Sequence, residues 1–208
     1  MSYDVLSDVL GPLADNGGPT LTHALKPGST AFDGGICGDG DEFDQRGIAR
    51  PSGTACDVGA FEFLHPAITL AADPLEYKEG DGVVQIDEDA VFMGDVINYS
   101  GWTLTVTLGS TWQENDVLAV TPQGDISLSS GVFVLYANGA PKVIATYSGG
   151  TSEEEPLELR LVPDATPQAI QALLRAITFE TGANPDETPR MVTFTLQGNV
   201  NGEVKEQS

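Results

Sequence analysis

Turn-forming residues constrain this chain more than any other feature. The 208 residues include 24 glycines and 13 prolines, and these punctuate the sequence throughout. Gly and Pro end helices and strands, so the segments between them are short. Short segments between turn signals favour β-strands over long helices. Because 40 % of the residues are hydrophobic, the chain can still build a core. The sequence therefore predicts a mainly β protein.

The character of the sequence changes near residue 65. Residues 1–64 are rich in Gly, Asp and Pro and hold only short apolar pieces. Such pieces bury little apolar surface by themselves, which favours an edge or cap stacked on something larger. Residues 66–208 contain several strand-like stretches between turns. We therefore predict two parts, 1–64 and 66–208.

The second part has the pattern of a β-sandwich. In Gly101–Leu108, apolar residues alternate with threonines, which places Trp102 and Leu104 on one face. Eight or nine short strands at this spacing are typical of a sandwich. The other predicted strands are Ala67–Ala71, Val117–Val120, Ile126–Leu128, Val132–Tyr136, Val143–Tyr147, Leu157–Val162, Ile177–Glu180 and Met191–Leu196.

One segment has helical periodicity instead. In Pro167–Ala176 and at the following residue, Ile170 is followed by apolar residues at the spacing of one helix face: Leu173, Leu174 and Ile177, three, four and seven positions later. Pro167 suits the first helical turn, and Thr166 can cap it. The sequence therefore predicts a single short helix inserted between strands.

The charge balance excludes some partners. The chain carries 31 acidic and 9 basic residues, a net charge of −22. A nucleic-acid binder needs a basic surface, and an anionic membrane repels an acidic protein. No apolar run approaches the roughly 18 residues that span a bilayer, so membrane insertion is not expected. The first 13 residues lack the regions of a signal peptide, so an exported protein would carry this chain as an internal or trimmed piece.

The two cysteines, Cys37 and Cys56, lie 19 positions apart in a Gly- and Asp-rich stretch. A disulfide between them would suit a secreted protein, while two buried free thiols are the alternative. We predict the disulfide, because neither cysteine lies in an apolar run.

Two acidic clusters are candidate calcium sites, since calcium takes six to eight oxygen ligands. In the first, Asp39, Asp41 and Asp44 crowd a Gly-rich loop. This loop does not fit an EF-hand, because Asp44 stands at the glycine position and Arg50 at the bidentate glutamate position. A solvated acidic loop is the alternative for both clusters. The second cluster consists of Glu79, Asp81, Asp87, Glu88, Asp89 and Asp95.

Catalytic patterns are weak. The two histidines, His23 and His65, lie far apart in sequence, and neither has metal-ligand spacing with another His or Cys. No nucleophile elbow or phosphate-binding loop occurs. A carboxylate pair for glycoside hydrolysis would arise by chance among so many acids. Of the tryptophans, Trp102 is expected in the core, and Trp112, among polar residues, is the better candidate for sugar binding.

A first resemblance covers roughly residues 9–63. The string LGPLADNGGPTLTHALKPGSTAFDGG, then DQRGIARP and CDVGAFEF, resembles the C-terminal end of bacterial right-handed parallel β-helix surface proteins of the choice-of-anchor type. The resemblance implies that residues 1–64 close a solenoid whose upstream rungs are missing here. It also implies an exported protein that carries a sorting or anchoring module.

A second resemblance covers roughly residues 67–200. IATYSGGT, ATPQAIQALLRAITFET and PRMVTFTL resemble cadherin-like repeats of giant bacterial surface and adhesin-type proteins. The resemblance implies that residues 66–208 form an immunoglobulin-like sandwich and that calcium binds at module junctions. The family usually follows its last strand with an Asp-Gly turn, whereas residues 198–202 here contain no aspartate.

Together these observations predict a noncatalytic structural or adhesive module of an exported bacterial surface protein, with calcium as the candidate cation. Its expected partners are other modules of the same long protein and a cell-surface protein or glycan. The rival interpretation is a fragment of a carbohydrate-binding or polysaccharide-processing β-helix protein. The scarcity of basic residues, nine in all, argues against lyase chemistry on acidic sugars.

Overall fold

The protein is mainly β, with antiparallel sheets and few helices. This confirms the predicted fold class at the level of β content. A computed structural model describes residues 6–26, 28–78, 80–95, 98–129, 132–137, 140–182, 188–200 and 203–207.

The regular elements of the described residues are short, as the density of turn signals predicts. The helices are α1 (Leu6–Val9) and α2 (Pro167–Arg175), and a 3-10 turn spans Gly109–Thr111. The strands are β1 Leu10–Ala14, β2 Thr22–Leu25, β3 Ala67–Thr69, β4 Val84–Gln85, β5 Val91–Met93, β6 Thr103–Thr107, β7 Val117–Val120, β8 Ile126–Ser129, β9 Val132–Ala137, β10 Ala140–Ser148, β11 Leu157–Leu161, β12 Ile177–Glu180, β13 Thr193–Val200 and β14 Glu203–Gln207.

The chain divides into two compact units. The N-terminal unit comprises Met1–Pro66 with Met93–Val96 and Val200–Glu203. The sheet unit comprises Ala67–Phe92, Ile97–Asn199 and Val204–Ser208. Each unit therefore includes segments that are distant in sequence.

The N-terminal unit has little regular structure in its described residues. β1 and β2 pair as an antiparallel hairpin, with Leu13 opposite His23. A single bridge joins Phe43 to Ala49, and turns and bends make up most of the remainder. Its buried backbone groups must therefore find hydrogen-bond partners outside strand ladders.

The sheet unit is built around a seven-stranded antiparallel sheet. Its strand order is β14-β13-β6-β11-β10-β9-β8. In the centre of this sheet, Leu104 of β6 stands opposite Leu196 of β13 on one side and Leu159 of β11 on the other. All three side chains are buried, so the alternation in β6 marks the core face.

Trp102 belongs to the same core, as the alternation predicts. Its side chain is buried and meets the ring of Tyr99 edge-on, with 5.5 Å between centroids. A Cβ atom at position 198 would overlap the Trp102 ring, so a glycine is required at that point of β13.

Helix α2 is the predicted inserted helix. Thr166 Oγ1 accepts a hydrogen bond from the backbone N–H of Ala169 at 3.2 Å, and Pro167 occupies the first turn. Ile170 and Leu173 are fully buried, and they lie on the helix face that the periodicity predicts to be apolar. The amphipathic pattern and the cap together account for where the helix begins.

Polar side chains hold the end of α2 beside a second sheet, whose order is β4-β12-β7. The side-chain amides of Gln85 and Gln123 each donate a hydrogen bond of 2.8 Å to the carbonyl oxygen of Arg175. Arg175 in turn donates from Nε to the carbonyl oxygen of Ala90 at 2.8 Å. The two amide bonds satisfy the Arg175 carbonyl, one of the groups that a helix end leaves without partners.

We expect the Leu104→Ala variant to lower the free energy of unfolding by about 2–5 kcal/mol, because truncation leaves a cavity in a packed core. Thr105→Ala is the matched control on the opposite face of β6, with an expected change of about 0.5 kcal/mol or less. Urea denaturation followed by tryptophan fluorescence measures both, since both tryptophans lie in the sheet unit. Equal losses in the two variants would contradict the assigned core face.

Candidate functional site

The N-terminal unit contains a set of buried and half-buried charged side chains, which we call the carboxylate network. Its acidic members are Asp33, Asp44, Asp57, Glu62 and Asp95, and its basic members are Arg46 and Arg50.

Asp44 is the most heavily engaged member. Its Oδ1 accepts hydrogen bonds from the backbone N–H groups of Arg46 (2.7 Å) and Ile48 (2.9 Å). Its Oδ2 accepts from Arg46 Nε (2.8 Å) and from the backbone N–H of Glu62 (3.0 Å). A carboxylate offers about four lone-pair sites, and four donors occupy them here. Asp44 thus acts as a structural anion rather than as an open ligand for a cation.

Arg46 links Asp44 to a distant part of the chain. Its Nη1 lies 3.0 Å from Asp95 Oδ2, its Nη2 donates to the carbonyl oxygen of Glu62, and its guanidinium lies 3.7 Å from the centre of the Phe61 ring. The side chain is almost fully buried. Sequence reasoning did not single out Arg46, although its position in the DQRG string was the available signal.

Asp95, which we predicted as a calcium ligand, belongs to this network. Its Oδ2 accepts a hydrogen bond from the backbone N–H of Leu64 at 3.0 Å, and its own N–H donates to the Leu64 carbonyl at 2.8 Å. The segment that contains Asp95 is thereby paired with the end of the long N-terminal stretch.

Glu62 and Asp57 form the other half of the network. Glu62 accepts from the backbone N–H groups of Ser52 (2.8 Å) and Asp57 (2.9 Å), and Arg50 Nη1 lies 3.2 Å from its Oε2. Asp57 accepts from the N–H groups of Asp33 (2.7 Å) and Phe63 (2.6 Å). Each carboxylate therefore closes a loop of the backbone.

The environments of these acids shift their pKa values in different directions. Burial alone would raise the pKa of Asp44, but hydrogen bonds from Glu62, Ile48 and Arg46 outweigh it and hold that pKa below its ordinary value. Burial raises the pKa of Asp57, with the negative charges of Glu62 and Asp33 acting in the same direction. For Asp33, burial is outweighed by hydrogen bonds from Ala55 and Thr54, so its pKa is lowered.

The predicted Cys37–Cys56 disulfide is confirmed, with the two Cα atoms 5.3 Å apart. Beside it, the N–H of Gly35 donates to the carbonyl oxygen of Cys56 at 2.7 Å. The disulfide thus links the segment around residue 36 to the first residue of the CDVGAFEF segment.

A shallow pocket of about 400 Å³ adjoins the disulfide and the network in the N-terminal unit. Three of its lining residues are large, exposed apolar side chains: Ile36, Phe43 and Val58. Arg50, Asp41 and Asp57 also line it.

The remaining predicted calcium ligands are dispersed. Asp39 and Asp41 are exposed in the loop before Asp44. Asp81 and Asp89 are exposed in the sheet unit. Glu79 lies outside the described residues.

Asp87 is buried in the sheet unit, where it accepts hydrogen bonds from the backbone N–H groups of Ala71 (2.6 Å) and Asp89 (2.9 Å). Asp87, like Asp44, therefore stabilises the local backbone by accepting its hydrogen bonds. In the part of the chain that the structure describes, no three His, Cys, Asp or Glu side chains are arranged to hold a metal ion.

The predicted sugar-binding residue Trp112 and the two histidines are not among the residues that line the pocket. Trp112 is half-buried directly after the 3-10 turn, and its backbone N–H donates to the carbonyl oxygen of Gly109 at 3.2 Å. His23 contacts the Gly11 carbonyl at 2.7 Å, whereas His65 meets the Phe63 ring edge-on.

Comparison of the chain with family models, with curated proteins and with solved structures gives no match. Among the described residues, no helix has the length and apolar character needed to cross a membrane.

We expect the Asp44→Asn variant to destabilise the N-terminal unit by about 3 kcal/mol, because Arg46 and three backbone N–H groups lose a buried anion. Hydrogen–deuterium exchange should show lost protection across residues 44–64. The exposed Asp41→Asn removes the same charge and should change stability by about 0.5 kcal/mol or less. Unaltered exchange in Asp44→Asn would refute the structural role of this carboxylate.

The shifted pKa values predict a stability maximum on the acid side of neutrality. Asp57, whose pKa is raised, contributes stability that grows as pH falls from 7 through its folded pKa. Asp44 and Asp33, whose pKa values are lowered, contribute stability that is lost below about pH 4 as pH falls through their folded values. Exchange protection of the N-terminal unit, measured between pH 3 and 7, should rise and then fall on acidification. The fall should be smaller in Asp44→Asn.

Proposed function

We propose that the chain is a noncatalytic structural or adhesive module of an exported bacterial cell-surface protein. The carboxylate network is the observation that carries this proposal. Its charged groups are buried or half-buried and engaged with backbone N–H groups and with each other, so they stabilise the fold. The Cys37–Cys56 disulfide supports an oxidising, extracellular location.

The finer architecture is part of the same proposal. We propose that the N-terminal unit corresponds to the end of a right-handed β-helix and that the sheet unit is a cadherin-like, immunoglobulin-like sandwich. Support for the sandwich comes from antiparallel strands with one buried face, such as β6 and β11. Support for the solenoid end comes from the resemblance of residues 9–63.

The rival function, carbohydrate processing, would need a pair of carboxylates that a substrate can reach. Of the described residues, three acids line the pocket: Asp44 and Asp57 are buried and bonded to backbone N–H groups, and Asp41 is exposed. The described lining therefore offers one reachable carboxylate rather than a pair. We therefore favour the noncatalytic function, with other modules of the same protein and a cell-surface protein or glycan as partners.

We expect no release of reducing ends when the chain is incubated with a panel of neutral and acidic polysaccharides. A commercial glycosidase and a polysaccharide lyase serve as positive controls for the assay. Cleavage of any substrate, abolished by Asp57→Asn, would overturn the proposal and favour the rival function.

Calcium binding remains a proposal for the acidic loops around Asp39 and Asp81. A cation bound only by the folded state must raise the melting temperature. We propose that 1 mM calcium, about 100 times a dissociation constant of 10 μM, raises it by several degrees relative to a chelator. Asp39→Asn combined with Asp41→Asn tests the first loop, and Asp81→Asn combined with Asp89→Asn tests the second. An identical melting temperature with calcium and with chelator would eliminate calcium from the proposed function.

A further inference from the structure

Three large apolar side chains of the N-terminal unit are exposed around one pocket. Ile36, Phe43 and Val58 are 93 %, 61 % and 52 % exposed, and all three line the 400 Å³ pocket. Single exposed apolar residues are ordinary on a protein surface, but a contiguous group around a concavity marks an interaction surface. We call these three residues the apolar patch.

Each residue of the apolar patch directly adjoins a residue that is firmly held. Ile36 precedes the disulfide-bonded Cys37. Phe43 precedes Asp44, and its backbone forms the bridge to Ala49. Val58 follows Asp57, and its own N–H donates to the carbonyl of Ala31 at 2.9 Å. The patch is therefore presented by backbone whose position is fixed before a partner arrives, which lowers the entropic cost of binding.

The charge around the apolar patch is negative. Arg50 lines the pocket, but its guanidinium is buried. It donates hydrogen bonds to the carbonyl oxygens of Asp57 (3.0 Å) and Gly59 (2.6 Å) and forms an ion pair with Glu62, so its charge is already engaged. Asp41 lines the same pocket and is exposed, as are Asp39 and Glu42 in the same loop. In the calcium-free chain, a partner on this surface therefore meets apolar side chains with the exposed Asp41 carboxylate at the rim.

We infer that the apolar patch docks a peptide segment of a partner protein in which apolar residues are flanked by lysine or arginine. Its apolar side chains would pack against Ile36, Phe43 and Val58, and its cations would lie against the exposed Asp41 carboxylate. A second copy of this chain fits poorly, because it brings the same acidic surface and a net charge of −22. The inference deepens the adhesive side of the proposed function and rests on it.

The test uses the whole chain and three fluorescent 12-residue peptides. One alternates leucine with lysine, one alternates leucine with glutamate, and one alternates serine with lysine. Fluorescence anisotropy should show binding of the leucine–lysine peptide at least tenfold tighter than of either other peptide. Because the rim contacts are electrostatic, the affinity should fall as salt is added.

A matched pair of variants localises the binding. The triple variant Ile36→Ser, Phe43→Ser and Val58→Ser should bind the leucine–lysine peptide at least tenfold more weakly. The control triple, Leu75→Ser, Val83→Ser and Met191→Ser, removes apolar side chains of similar exposure from the sheet unit and should bind as the parent does. Ile36→Ser alone, which changes the most exposed member, keeps the test valid if the triple variant misfolds.

Three results would overturn the inference. The first is equal weakening in both triple variants, which would indicate non-specific attraction to an acidic protein. The second is equal binding of the serine–lysine peptide, which would leave the apolar patch without a role. The third is a self-association equilibrium, seen by sedimentation, that the Ile36→Ser variant abolishes, since the occupant would then be a second copy. The polysaccharide assay is independent of these results, so failure of the docking inference and failure of the noncatalytic function can be told apart.

Discussion

Buried carboxylates take the place of a strand ladder in the N-terminal unit. A chain with little regular structure still has to satisfy its buried N–H groups, and leaving one unpaired costs about 1–3 kcal/mol. Here the side chains of Asp44, Asp57 and Glu62 accept those bonds, and each joins backbone segments that are separated in sequence. Arg46 and Arg50 then compensate the negative charge inside the unit. The fold of this unit therefore depends on side-chain carboxylates that accept the backbone hydrogen bonds which a strand ladder would otherwise accept.

The same arrangement changes the meaning of the acidity. From the sequence, Asp44 and Asp95 belong to two separate clusters of candidate calcium ligands. In the structure both carboxylates form ion pairs with Arg46, so one guanidinium compensates part of the charge of both. Asp41, which is left exposed, lines the pocket and gives its rim negative charge. Buried and exposed acids thus have different consequences, the first for folding and the second for recognition.

The sheet unit is stabilised in another way. Its strands bury alternate apolar side chains, with Leu104 and Leu159 facing each other in the core. Here the strand ladder pairs the backbone N–H and C=O groups, and the burial of apolar surface area supplies the stability. The sheet unit should therefore respond mainly to truncation of core side chains, whereas the N-terminal unit should respond mainly to pH and to changes of charge.

Several elements could be predicted because their signals are local. Alternation over 103–107 and periodicity over 167–175 determine which face of each element is apolar, and Thr166 supplies its own cap. The Cys37–Cys56 bond could be predicted because only two cysteines exist. β1, β2, β4, β5 and β14 were not predicted as strands, because short segments owe their pairing to partners elsewhere.

The carboxylate network was decided only by the tertiary structure. Arg46 and Asp95 are 49 positions apart, and no local pattern links them. The gathering of Ile36, Phe43 and Val58 around one pocket likewise depends on how loops are held together. The sequence by itself determined β content, charge, the helix and the disulfide, since these follow from neighbouring residues and composition. Which acids are buried, and what they face, depends on chain segments brought together in space, because hydrogen bonding and charge compensation act on distance rather than on order in the chain.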